Sequence, residues 1–441
     1  MMAPPILTTA LLSLIIPHVA QASSQHQDIR KTCARYPPSR PVSANLTKCL
    51  DSLLAPSISP LSLAPWTQPP HCIYAEESPY CVFTNAHHSL SIITTPDEAS
   101  TSLNLLSHHS VDPPSFFAPQ KLYLSPPYKV VDVPGKGKGA VATQRIQKGM
   151  AILVDTASVL AAAEYPADVM REEVQDLMEA AVDRLADGGI GVRALSRMGR
   201  RDEEEEEEER GEGMSEMEDT LLTNSFVVGL GGKEYMGLFV DVARFNHDCR
   251  PNAFLHFSET TLAMTIWAAK DIEEGEEITI SYSAAGMVTE ERQKTLEKVW
   301  GFKCQCSLCS APAEILTASD NNRKEIRQLQ KAVVELAQKG EYDEALSRAE
   351  RMFELVETEG LTEQMGDMYE VPARLYYHVG NLEKALEYTL KVKREIDGYG
   401  LPGEFGAEKL KMLDGVIERI EKELKNKKKN EEEERKNRGR T

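Results

Sequence analysis

Four short stretches of this chain carry residue types and spacings suited to chemistry. The densest is Arg244-Phe-Asn-His-Asp-Cys-Arg-Pro-Asn252, in which Asn246 and His247 sit side by side, followed by Cys249 and Asn252. Its flanks, Leu238-Phe-Val240 and Ala253-Phe-Leu255, are apolar. Polar side chains packed this tightly between core-forming segments are hard to explain as packing, because a buried Asn has up to four hydrogen bonds to satisfy. The second stretch, Trp300-Gly-Phe-Lys-Cys-Gln-Cys-Ser-Leu-Cys309, places Cys304, Cys306 and Cys309 as C-x-C-x₂-C. Three thiolates so close read as three ligands of a structural zinc, which takes four in a tetrahedron. Disulfides or free thiols are the alternatives, but a C-x-C pair strains a disulfide. Cys249 is the only other cysteine after residue 81.

The third stretch is Pro134-Gly-Lys-Gly-Lys-Gly139, with Lys136 and Lys138 alternating with Gly137 and Gly139. Glycines let backbone approach a ligand and expose its N–H groups. By itself this is no more than a hairpin turn, and no G-x-x-x-x-G-K-[ST] phosphate loop follows. The fourth, Asp271-Ile-Glu-Glu-Gly-Glu-Glu-Ile-Thr-Ile-Ser-Tyr282, is a turn followed by a strand that ends on a tyrosine.

These stretches need elements to hold them. Tyr128–Val133, Ala140–Thr143 and Met150–Val154 read as strands separated by turns. Residues 162–198 are helical by pattern, and Glu203–Glu209 forms an acidic block expected to be a solvated, disordered insertion. Short strands resume after Leu221, and beyond Asn321 the pattern is helical to about residue 425. There Gly340-Glu-Tyr-Asp-Glu-Ala-Leu346 and Gly380-Asn-Leu-Glu-Lys-Ala-Leu386 repeat at a period of 40, as in a tetratricopeptide-like (TPR-like) helical hairpin. This region is a scaffold or a surface that binds a partner.

Asn-His-x-Cys-x-Pro-Asn, Gly-Glu-Glu-Ile-x-Ile-x-Tyr and Phe-x-Cys-x-Cys-x₂-Cys, in this order, resemble the SET domain of protein lysine methyltransferases with its post-SET segment, over about residues 125–310. Leu221-Leu-Thr-Asn-Ser-Phe226 and the helices after residue 321 are similar to the SET-and-MYND subgroup, but no Cys/His cluster in the 155–235 insertion supplies the MYND zinc finger. The family has Ser where this chain has Asp248. The resemblance implies an α+β fold: a β-rich SET domain with an inserted helical segment and a zinc-bound post-SET segment, then an all-α TPR-like region. It implies methyl transfer from S-adenosylmethionine to a lysine amine of a protein or peptide. Lys136, Gly137, Lys138 and Gly139 would line the methionine part of the cofactor. Asn224, Asn246 and His247 would hold its amino-acid and adenine parts, Phe302 would stack on the adenine, and Tyr282 would be the catalytic tyrosine. Cys249 would complete the zinc site of Cys304, Cys306 and Cys309. The competing reading is a catalytically degenerate SET module serving as a secreted or scaffold binding protein.

The remaining features bound the setting. The expected order is a signal peptide (1–22), an N-terminal Cys-containing module (23–118), the SET and post-SET domain (119–310, insertion about 157–220, acidic run 202–210), the helical region (311–425) and a charged, disordered tail (426–441). The signal peptide rests on the apolar run Ile6–Ile16 and on Ala20-Gln-Ala22, and it places the protein in the secretory pathway, with nucleus or cytoplasm as the alternative. In that setting Cys33, Cys49, Cys72 and Cys81 would form two disulfides in one of three pairings, of which Cys72 with Cys81 would close a short hairpin-like loop. Asn45-Leu-Thr47 is a glycosylation triplet. His87-His88 and His108-His109 lack partner spacing for a metal. No other segment is apolar enough to span a membrane. The net charge of −19 argues against direct nucleic acid binding and suits cationic, lysine-rich peptides.

Overall fold

The first hairpin of the fold comes from a run rich in aromatic and β-branched residues, Tyr80-Cys-Val-Phe-Thr. In the computed structural model β1 (His71–Ile73) and β2 (Tyr80–Asn85) pair antiparallel with Cys72 opposite Cys81, and the two are joined by a disulfide. Ser89, in the left-handed conformation, turns β2 into β3 (Leu90–Thr94). The structure describes residues 66–100, 125–198, 214–259, 261–284, 286–361, 369–398 and 404–438, with the side chains of 395–398, 404–409 and 434–438 excepted. The signal peptide, Cys33, Cys49, the glycosylation triplet, His108-His109 and the acidic run 202–210 lie outside these residues. The chain divides into two units, Met1–Pro69 and Pro70–Thr441, and every element named here belongs to the second.

Both faces of β2 and β3 are buried. In addition, β3 is not an edge. It pairs parallel with β7 (Val159–Ala162), at Ser91↔Val159, Ile92↔Leu160 and Ile93↔Ala161. A six-stranded sheet results, in the order β1-β2-β3-β7-β9-β8, with β8 at Ser225–Leu230 and β9 at Lys233–Leu238. The described strands of the N-terminal Cys-containing region, β1 to β3, are therefore part of the same sheet as strands from the middle of the chain. β7, which lies just past residue 157, belongs to the sheet as well. The inserted helices are α1 (Arg171–Asp183), the short α2 (Ile190–Arg193) and α3 (Glu216–Asn224). Leu177, Met178, Ala181 and Val182 of α1 pack on Val82, Ile93 and Val159 of the sheet. Ser91, buried beneath α1, donates to the Ala181 carbonyl at 2.7 Å and so leaves no orphan polar group there.

Two smaller sheets carry the motifs. One has the order β10-β13-β5-β4: β4 (Tyr128–Val133), β5 (Gly137–Ala142), β10 (Asn246–His247) and β13 (Glu277–Ile280). The other has the order β11-β12-β6: β6 (Ala151–Thr156), β11 (Ala253–Ser258) and β12 (Ala263–Ala268). Helix α4 (Thr289–Trp300) leads to the cysteine cluster and ends at Gly301, φ +69°. The C-terminal helical region comprises α5 (Ala313–Lys339), α6 (Tyr342–Glu359), α7 (Glu370–His378), α8 (Leu382–Gly398) and α9 (Glu404–Arg438). The two repeated sequence segments make the same turn. Gly340 and Gly380, φ +79° and +77°, each follow a helix end at which the next residue's N–H returns to a carbonyl five residues back: Glu341 to Leu336 and Asn381 to Tyr376. Among the described residues, no helix is long and apolar enough to cross a membrane.

The joint sheet makes a prediction. Ile93 is fully buried between α1 and β7. Ile93→Ala should cost about 2–5 kcal/mol. In denaturant titration followed by amide exchange, β3 and β9 should lose protection together. A drop confined to residues 71–94 would show that the first strands unfold independently of the rest of the sheet.

Candidate active site and cysteine cluster

Strand pairing brings three of the four motifs together. β10 lies parallel to β13, with Asn246 opposite Thr279 and His247 opposite Ile280, and β13 lies antiparallel to β5, with Glu277 opposite Val141. The Gly-Lys-Gly turn, the Asn-His pair and the strand leading to Tyr282 are thus neighbours. Glu277 ties them at the side-chain level. Its carboxylate accepts from Asn246 Nδ2 at 2.9 Å and pairs with Lys136 Nζ at 2.7 Å. Asn246 Nδ2 also donates to the Lys138 carbonyl at 3.2 Å. Gly139 is required here: a Cβ on it would stand 2.6 Å from Asn246 Nδ2 and 2.6 Å from Val133 Cγ2. Gly137, φ +72°, shapes the turn. The Lys138 side chain leaves the group; it is half exposed and pairs with Asp132 at 2.8 Å.

His247 joins the strand end to the cysteines. Its Nδ1 accepts from the Tyr282 backbone N–H at 2.9 Å, which leaves the ring proton on Nε2, 3.3 Å from Cys249 Sγ. Burial pushes the His247 pKa down to about 4, so the ring is neutral at neutral pH. Tyr282 donates its hydroxyl to the Phe245 carbonyl at 2.8 Å, and burial pushes its pKa up, so the phenol stays protonated. Rings surround it: Trp300 at 5.0 Å, His247 at 5.4 Å and Phe302 at 6.5 Å between centroids. Asn224, the last residue of α3, is held by donating to the Ser196 and Thr220 carbonyls, both at 2.7 Å. It adjoins the group through its neighbour Thr223, whose carbonyl accepts from Trp300 Nε1 at 2.9 Å.

The sulfurs of Cys249, Cys304, Cys306 and Cys309 all lie within 4.8 Å of one another, with Cys249 3.9 Å from Cys304 and 3.6 Å from Cys309. A tetrahedron with zinc–sulfur bonds of ~2.3 Å has sulfurs roughly 3.8 Å apart. The cluster could hold such an ion, and it is the only group of this kind found among the described residues. Cys306 is the acceptor within it, its pKa pushed down by the Cys249, Cys304 and Cys309 thiols, whereas donation to Cys304, Cys306 and Cys309 pushes Cys249 up. Arg292 of α4 is fully buried, donates to the Met287 carbonyl at 2.6 Å and to Thr289 Oγ1 at 3.0 Å, and faces Cys249 and Cys309. Desolvation opposes its charge, and those sulfurs more than offset the cost.

Residues 137–283 match the family model of the SET domain. This stretch is a SET domain. The chain is 29% identical over 203 residues to the histone-lysine N-methyltransferase set5 of Schizosaccharomyces pombe, covering 45% of this chain and 56% of that protein. It is 33% identical over 115 residues to the histone-lysine N-methyltransferase SMYD3 of Homo sapiens, covering 25% and 26%. A third match, 43% identical over 75 residues, is to the histone-lysine N-methyltransferase ASHR1 of Arabidopsis thaliana, covering 17% and 15%. The matched stretches thus span about half of set5 and about a quarter of SMYD3.

Several residues that hold the SET domain's motifs escaped the sequence reading. Glu277 lay in the fourth motif but had no assigned partner. Asn252 belongs to the first motif, without a role of its own there; it locks the loop to β13 by donating to Glu276 Oε1 and the Glu277 carbonyl, both at 2.9 Å, and by accepting from Thr279 N at 2.7 Å. Arg292 sits in an ordinary charged helix, and only its full burial marks it. Asp155 of β6 gave no signal at all. It accepts from the backbone N–H groups of Asp241 at 2.7 Å and Val242 at 3.0 Å, and so caps the 3₁₀ turn Val242–Arg244 that leads into Asn246.

Asp155 carries a pH prediction. Burial first, then the nearby Asp241 charge, push its pKa up to about 7. Unfolded, it would titrate near 3.9. Between these values the folded SET domain holds more protons than the unfolded chain, so this residue makes stability fall as pH rises from about 4 to 7, with the full cost present above 7. Asp155→Asn keeps an acceptor for the two N–H groups and removes the charge. Subtracting wild-type from variant stability should give a difference that grows across this window and reaches about 1–2 kcal/mol at pH 8. A difference independent of pH would show that Asp155 does not titrate there.

Proposed function

We propose that this chain is a protein-lysine N-methyltransferase that uses S-adenosylmethionine. The observation that carries the reading is the fixed Tyr282 hydroxyl at the meeting point of the Asn246-His247 strand, the cysteine cluster and the aromatic group. S-adenosylmethionine supplies an electrophilic methyl on a sulfonium. The chain's own task is alignment, because an in-line displacement is limited mainly by how well its partners are held. The Gly137–Gly139 turn, with Lys136, would hold the methionine part. Asn224, Asn246 and His247 would hold its amino-acid and adenine parts, and Phe302 would stack on the adenine. Gly139 supports this by letting the Asn246 amide close on the turn: a Cβ there would stand 2.6 Å from Asn246 Nδ2. Tyr282 spends its proton on the Phe245 carbonyl. Its oxygen lone pairs then serve as acceptors that orient the lysine amine. The aromatic walls of Trp300, Phe302 and Tyr282 exclude water and disfavour the charged ammonium, which favours the neutral amine needed for attack.

The four cysteines would bind a structural zinc. The sulfur spacing fits a tetrahedron, His247 Nε2–H faces one sulfur, and Arg292 offsets the negative charge of the thiolates. The two turns at Gly340 and Gly380 support a TPR-like reading of the C-terminal helices. The Cys72–Cys81 bridge supports a life in an oxidising compartment.

Two experiments test this reading. Tyr282→Phe should lower turnover of a lysine-containing peptide by about 10²-fold or more while cofactor affinity changes little. If Tyr282 is only a packing residue, the variant should instead lose about 1 kcal/mol of stability and keep its rate; full activity would reject the assignment. Elemental analysis of chelator-washed protein should find about one zinc per chain. Cys306→Ser should lose the zinc and loosen the segment carrying Phe302. Unchanged metal content and fold in that variant would remove zinc from the proposal.

A further inference from the structure

We infer that Glu359, at the end of a C-terminal helix, is a positioning residue for the SET-domain loop that carries His247 and Cys249. Glu359 is the last residue of α6, and its side chain is 1% exposed. A carboxylate there faces the negative end of the helix dipole, so the helix alone does not favour it. Four donors converge on it instead. Ser319 Oγ lies at 2.6 Å and Asn322 Nδ2 at 2.9 Å, both from α5; Arg250 Nη2 lies at 3.1 Å and Arg323 Nε at 3.4 Å. Arg250 belongs to the loop itself, directly after Cys249. Arg323, also on α5 and 1% exposed, donates through Nη2 to the Cys249 carbonyl at 2.9 Å. One carboxylate thus holds two guanidiniums, and both grip the segment that presents Cys249 to the cluster and His247 to Tyr282.

Charge gives the arrangement its direction. Desolvation disfavours the Arg323 charge, and repulsion from Arg292 adds to this; Glu359 works against both. Were Glu359 neutral, the buried Arg323 and the half-buried Arg250 would stand side by side without this counter-charge, and the grip on the Cys249 carbonyl would weaken. The helical region is in this view part of the site's scaffold rather than an appendage, and whatever moves the end of α6 moves the loop.

The test uses the full chain and Glu359→Gln, which keeps the size and one acceptor but loses the charge. Amide exchange at Asp248 and Tyr282, whose N–H groups go to the Ile280 carbonyl and to His247 Nδ1, should quicken by about tenfold. S-adenosylmethionine affinity should fall by about tenfold, the low end of what outer-shell partners contribute. Leu375→Ala, in the helical core away from Glu359, serves as the matched control. It should cost stability and leave both readouts unchanged. Should Glu359→Gln fail to fold, Ser319→Ala, which removes one donor, should give the same pattern with a smaller, several-fold change. The cofactor arm rests on the methyltransferase reading, and the exchange arm does not. A wild-type chain that binds no S-adenosylmethionine defeats the former reading and leaves the exchange result to decide this one. Loosening confined to α5 and α6, with Asp248 and Tyr282 protected as before, or equal effects from Leu375→Ala, would overturn the inference.

Discussion

The His247 imidazole is the interaction on which the candidate site depends. It is neutral and buried, and both of its nitrogens are engaged: one accepts from the backbone where Tyr282 leaves its strand, the other faces Cys249. Only an imidazole offers an acceptor and a donor at opposite corners of a rigid ring. That ring fixes the distance between a strand end and a cysteine loop. Its backbone is fixed as well, by parallel pairing with β13. The tyrosine, the cluster and the Asn246 amide therefore share one frame of reference.

Charge is arranged around that frame in layers. The chain is strongly acidic overall, yet the cysteine cluster is backed by the buried guanidiniums of Arg292 and Arg323. Cations beside the sulfurs would lower the cost of deprotonating them. The glycine turn follows the opposite logic, since there the nearest polar partners are the Glu277 carboxylate and the Asn246 amide. The fold therefore separates a cation-backed sulfur cluster from a turn steadied by a carboxylate, and Asn246 and His247, one residue apart, face one each.

Much of this was legible in the sequence, for a physical reason. Asn246, His247 and Cys249 lie within four residues, and Cys304, Cys306 and Cys309 within six, so each group announces its chemistry locally. The turns at Gly340 and Gly380 were equally plain, because helix-ending glycines act over short range. What stayed hidden depends on contacts across the chain. Nothing in Leu90–Thr94 says that it will lie parallel to Val159–Ala162, because such pairing leaves no local mark. The roles of Asp155, Arg292 and Glu359 come from what packs on them. Lys138 illustrates the converse: strand alternation turns it away from its neighbours in the motif, toward Asp132.

The parallel join between β3 and β7 also bears on how the protein tolerates being cut. β7 is held on one side by β9 and on the other only by β3, a strand from far earlier in the chain. A fragment that kept the SET motifs but began after residue 118 would present the backbone of Val159, Leu160 and Ala161 as a bare, apolar edge. Unpaired edges of this kind recruit strands from other copies of the chain. The natural termini of the SET motifs are therefore poor places for a proteolytic boundary: the piece released would contain every motif residue and still carry a strand seeking a partner, with self-association as the outcome.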